Sequence, residues 1–237
     1  MADDVFERQI RAWASSETNK KKLALAASSC ARALPAVIAA SNDANSTSEY
    51  TSYGAWSPIW HLSLHMTRSI LSAYTVCLNG FNPSITNVGA NDRNELMLEF
   101  FNQNRPIASL LRAIGRSSNF PISAYQTAAA AESSSRSIQN LDKFIPNHRN
   151  LKLAQEATNA SIAILEGSDP KTLLEQSLWL DVTWPDEIAD SWTNLKAEWS
   201  TEPAMAFWID WYEGLLAGRT PDWGLWHDIV LIDDEHW

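Results

Sequence analysis

Apolar residues recur along this chain at intervals of three and four rather than two, the spacing of helix faces. Trp60, Leu64, Thr67, Leu71, Tyr74 and Leu78 give the clearest case, stepping by +4, +3, +4, +3, +4. Ser57 before Pro58 supplies an N-cap with proline at the first helical position, and Asn79-Gly80 supplies the stop. Upstream, Val5, Phe6, Ile10 and Trp13 predict a short helix over 5–14, capped by Asp3 or Asp4. An alanine-rich helix is predicted over 23–40, with a kink or break at Pro35. Further helices are predicted from Asn91 or Asp92 to Gly115, interrupted at Pro106, weakly over 121–141, and over 147–166. Asp169-Pro170 opens a short one over 171–178, and Pro185, Glu202-Pro203 and Pro221 open the last three, with Gly218 closing the second of these. Period-two alternation of useful length is missing. The pattern therefore predicts an all-α fold, an irregular bundle or array of about nine or ten helices without a substantial sheet.

Composition sharpens this picture. The 237 residues are 45% hydrophobic and 19% charged, enough apolar surface for a globular core. Only eight glycines are present, which counts against phosphate-cradling loops and dinucleotide folds. Tryptophan is unevenly spread, with three before residue 178 (Trp13, Trp56, Trp60) and nine after it. Charge follows the same division. From Leu180 to Trp237 there are 13 acidic and 2 basic side chains, −11 in all, so the rest of the chain carries +1 of the net −10. Such a segment repels phosphate, so neither nucleic acid nor an anionic membrane is an expected partner. One helical domain over 1–237 is the simpler expectation, with a subdivision into an Ala/Ser-rich segment over residues 1–178 and a Trp-rich acidic segment over residues 179–237 as the alternative. Cys30 and Cys77 sit in apolar runs and are expected to be buried, reduced thiols. No secretory leader and no run of 18 apolar residues is visible, so a cytoplasmic location is expected.

Three constellations have the residue types for function. His61 and His65 stand at i and i+4 on the predicted 58–79 helix, the spacing by which two histidines hold zinc. Leu62, Ser63 and Leu64 between them provide no glutamate base, and a third ligand from His148, His227, Asp92 or Glu95 would depend on the fold. Asp228, Asp233, Asp234 and Glu235, with His227 and His236, form an acidic cluster whose spacing matches no calcium loop, so a solvated chain end is the plain reading. Trp208, Trp211 and Tyr212 share a helix face. They read either as a core that packs short helices together or, with Trp223 and Trp226, as an exposed aromatic patch for a protein partner, rimmed by Asp210, Glu213 and Asp222. Nucleophile elbows, Walker loops, Rossmann glycines and Cys-x-x-Cys pairs do not occur, and no cofactor is expected.

The run from Phe207-Trp208-Ile209-Asp210-Trp211-Tyr212 through Leu215 and Gly218, with Leu231-Ile232-Asp233-Asp234-Glu235-His236-Trp237 downstream, resembles a bacterial family marked by a Phe-Trp-x-x-Trp-Tyr … Leu … Gly signature and a later Leu-Ile-x-Asp-x-x-Trp. That resemblance covers about thirty-five residues and implies no activity and no catalytic residue. It implies a chain that continues beyond Trp237, so this sequence is expected to be a fragment of a longer protein. The function expected from these features is a non-catalytic interaction or regulatory module of a larger bacterial protein or system, with phage defence or toxin immunity as a setting. Its partner is then another protein or a downstream domain of the same chain. A metal-dependent hydrolase built on His61 and His65 is the first alternative, and an acidic inhibitor that mimics a polyanion is the second.

Overall fold

The computed structural model describes residues 2–45, 58–79, 122–139, 147–219 and 222–232. These residues form nine α-helices and one 3₁₀ helix, with no strand among them. In chain order the helices are α1 (Ala2–Ser16), α2 (Asn19–Asn45), α3 (Pro58–Asn79), α4 (Ala124–Gln139), α5 (His148–Gly167), α6 (Pro170–Leu174), α7 (Asp186–Trp199), α8 (Ala206–Ala217) and α9 (Trp223–Val230). The 3₁₀ turn Pro203–Met205 leads directly into α8. The expected all-α array is what forms. The predicted helical stretch from Asn91 to Gly115 lies outside the described residues. No helix among the described residues is long and apolar enough to cross a membrane.

Local chemistry starts and stops these helices. Asn147 caps α5 by accepting from the N–H groups of Arg149 and Asn150. Asp169 caps α6 with Pro170 at its first position, and Asp222 caps α9 through the N–H of Leu225. Helix α4 opens with a reciprocal box: Gln126 N–H donates to Ser123 Oγ at 3.1 Å while Ser123 N–H donates to Gln126 Oε1 at 2.8 Å. That pair makes the predicted weak helix a well-started one.

Helix α2 is the central post. It packs against α3 and α4 most extensively, and against α5, α6 and α7 as well. Alanines and serines line these contacts, among them Ala24, Ala27, Ala31, Ala128, Ala131 and Ser134. Short side chains let the helix backbones come close, and Ser134, Ser135 and Ser137 of α4 satisfy their hydroxyls on carbonyls one turn back, as Ser134 does on Ala130 at 2.7 Å. One continuous apolar core runs from Phe6 to Val230, with Trp179, Trp192, Trp199, Trp208, Trp211 and Trp226 in it.

Of the kink or break expected at Pro35, the break does not occur: α2 runs continuously from Asn19 to Asn45 through it. The expected helix over 171–178 is shorter and ends at Leu174. Beyond it the chain turns, with Leu180 at φ 55°, a left-handed conformation unusual for a residue with a side chain. Both departures have tertiary causes, described next.

Candidate functional site

The aromatic residues of the C-terminal region form a chain of edge-on contacts. Trp192 meets Trp199 at 5.9 Å and 88°, and meets Tyr212 at 4.5 Å. Trp208 meets Trp211 at 5.7 Å and 86°, and Trp211 meets Trp226 at 6.1 Å. Trp226 in turn contacts Trp223 at 5.0 Å and Tyr74 of α3 at 6.0 Å. These are the offset and edge geometries that ring quadrupoles favour. Trp208, Trp211, Tyr212 and Trp226 are all buried, and Trp223 is half-buried. The expectation of an exposed patch made by these five rings is corrected accordingly. Four of them fill the seam between α7, α8, α9 and the post of α2 and α3, because a ring this large gains most by leaving water where facing helices offer it a groove.

The motif that carried the family resemblance therefore has structural tasks. Trp208, Trp211, Tyr212 and Leu215 are core. Gly218 closes α8 at φ 65°, with its own N–H on Leu215 O at 3.3 Å and the Arg219 N–H on Gly214 O at 3.0 Å. A Cβ at Gly218 would stand 2.6 Å from the backbone nitrogen of Ser177, so glycine is required both by the dihedral and by space. Against that same turn, Leu178 N–H donates to Leu215 O at 2.8 Å.

Two long-range polar bonds tie this C-terminal region to the middle of α2. Pro35 has no N–H, so the carbonyl of Ala31, four residues back, has no donor of its own helix at that place. The phenol of Tyr212, fully buried, donates to it at 3.1 Å. This explains why α2 tolerates its internal proline. Next to it, Arg32 Nε donates to Leu178 O at 2.7 Å, and Arg32 Nη2 donates to Ser161 Oγ on α5. The turn at 175–182 is thus held between α2 and the end of α8, and this outweighs any tendency to continue α6. Arg32 is buried to 2% exposure, and burial lowers its pKa from 12.5 to about 10, so it stays charged at neutral pH. Burial likewise pushes the Tyr74 phenol and the Cys30 thiol up to about 12, and the Tyr212 phenol and Cys77 thiol well up. Both cysteines are buried and free.

The outer side of α9 has a different character. Leu225, Leu231 and Ile232 are 47%, 37% and 40% exposed, three of the five large apolar side chains so exposed among the described residues. Leu225 and half-buried Ile229 stand four apart on α9, off the side that buries Trp226 and Val230, and Ile232 follows two residues past the helix end. Exposed Asp222 and Asp228 flank it. The helix is seated on α3 by Trp226 against Tyr74 and by Arg68, whose Nη2 donates to Ile232 O.

His61 and His65 lie on the first two turns of α3, but their side chains are outside the described residues, as are Asp233, Asp234, Glu235 and His236. Among the described residues no three His, Cys, Asp or Glu side chains gather to hold a metal. Sequence reasoning missed Arg32 and the outer face of α9. The first had a signal in plain sight: it is the sole charged residue between Leu23 and Ala40. Comparison with protein-family models, with curated proteins and with solved structures finds no match.

Proposed function

We propose that this chain is a non-catalytic interaction module that binds a protein partner through the outer face of α9. The observation that carries this reading is that one short, firmly seated element exposes Leu225 on its first turn and Leu231 and Ile232 just past its last. Large apolar groups left in water at one place are what partner surfaces offer. The aspartates beside them, Asp222 and Asp228, and the −11 charge of residues 180–237 set the partner's chemistry: an amphipathic segment with an apolar stripe and basic flanks. Supporting the mechanical side, α9 is fixed to α3 by rings and by Arg68, so the face is presented without ordering a loop.

The test uses three synthetic helical peptides: one amphipathic with leucines and lysines, one with lysines but no apolar stripe, and one amphipathic with glutamates. Fluorescence anisotropy should show saturable binding of the first alone. Leu225→Glu, at an exposed position, should weaken it at least tenfold while circular dichroism is unchanged. Binding of both lysine peptides alike, with collapse in high salt, would favour a polyanion mimic instead. Binding untouched by Leu225→Glu would remove α9 as the site.

A further inference from the structure

Arg32 carries a positive charge in the interior, yet no carboxylate among the described residues pairs with it. Its two bonded donors go to neutral acceptors, the carbonyl of Leu178 and the hydroxyl of Ser161, which gives its own proton to Ala157 O. Nη1 is buried and has no partner. The titratable groups that face it, Tyr74 and Tyr212, are held neutral by burial. One turn earlier on the same side of α2, Ser29 Oγ is also buried without a partner, and beside the Leu178 acceptor the indole N–H of Trp179 is a third unmatched donor. Donors outnumber acceptors here, and a lone buried guanidinium costs far more than any neutral group.

We propose that Arg32 is the centre of an internal binding site for a compact carboxylate monoanion. Nη1 has charged N–H groups with no acceptor, to which a carboxylate oxygen can bind, and Ser29 adds a hydroxyl donor on that side of the helix. A single positive charge matches a single negative one. A dianion such as phosphate would leave the interior with an excess of negative charge and only neutral groups to meet it.

The probe is formate. Urea unfolding at constant sodium concentration, with formate replacing bulky isethionate, passes through the unfolded state and so lets an internal site exchange. Above the dissociation constant, each tenfold rise in formate should raise the folded-to-unfolded ratio about tenfold in the parent protein. Arg32→Met keeps the stem and removes the charge, and its ratio should not respond. A flat parent curve, or parent and variant rising together, overturns the proposal. Should Arg32→Met not fold, Ser29→Ala decides: the formate curve should move to several-fold higher concentration, and an unmoved curve overturns the site.

Discussion

Replacing Tyr212 by phenylalanine removes one oxygen atom from a residue that is fully buried, and the structure says what that atom does. It donates to the carbonyl of Ala31 at 3.1 Å, and that carbonyl lies four residues before Pro35, where the helix has no N–H to offer. In Tyr212→Phe the carbonyl is left buried without a donor, which costs about 1–3 kcal/mol, and the new ring leaves no polar group of its own unmatched. The same substitution made together with Pro35→Ala has a different cost. Alanine in place of the proline brings back the N–H, Ala31 regains its bond within α2, and loss of the phenol then costs only about 0.5 kcal/mol of a supplementary bond. The double-mutant cycle removes the separate effects of losing the proline ring, because they occur on both sides. Urea unfolding of the four proteins, followed by tryptophan fluorescence, should give a coupling of roughly 1–2 kcal/mol, with Tyr212→Phe more harmful beside proline than beside alanine. If its cost is equal in both backgrounds to within about 0.5 kcal/mol, the phenol does not compensate for the proline, and the explanation for an unbroken α2 fails.

Gly218→Ala should destabilise by roughly 2–4 kcal/mol, since a left-handed residue gains a side chain that meets the Ser177 nitrogen at 2.6 Å; a loss below about 1 kcal/mol in urea unfolding would mean that the α8 end and the 176–178 turn are not in contact. Alkaline pH should destabilise the fold. Cys30, raised from 9.0 to about 12, and Tyr74, raised from 10.0 to about 12, keep their protons when folded and lose them when unfolded, so between those values stability falls as pH rises, by up to about 1.4 kcal/mol per pH unit for each group. Cys77 and Tyr212 act in the same direction, while Arg32, lowered from 12.5 to about 10, acts oppositely only above pH 10. A urea midpoint that is constant from pH 8 to about 10 would show that these thiols are not buried.

The helices were legible because their signals are local. Asn147, Asp169-Pro170, Asp222 and Gly218 each act within a few residues of themselves, through a side chain reaching the next turn or a dihedral only glycine adopts cheaply. The Ser123-Ala-Tyr-Gln126 box is equally local, but the run of alanines and serines after it draws the eye away from it. The helical spacing of Trp208, Trp211 and Tyr212 determined that the three rings share a face, but spacing cannot say whether water or another helix lies opposite.

That decision belonged to the tertiary structure, and so did the fate of Pro35. Read alone, a proline in a helix predicts a kink or a break, because the missing bond is an intrahelical one. The donor that replaces it comes from Tyr212, 181 residues from Ala31, and no local window contains both. The same holds for Arg32, which ends α6 early by holding Leu178, 146 residues away, and for the outer face of α9, whose exposure follows from which side of the helix Tyr74 and Arg68 engage. Sequence sets the periodicity, the caps and the charge of this protein, since each arises between neighbours; burial and long-range pairing depend on which helix faces meet, and only the folded chain brings those faces together.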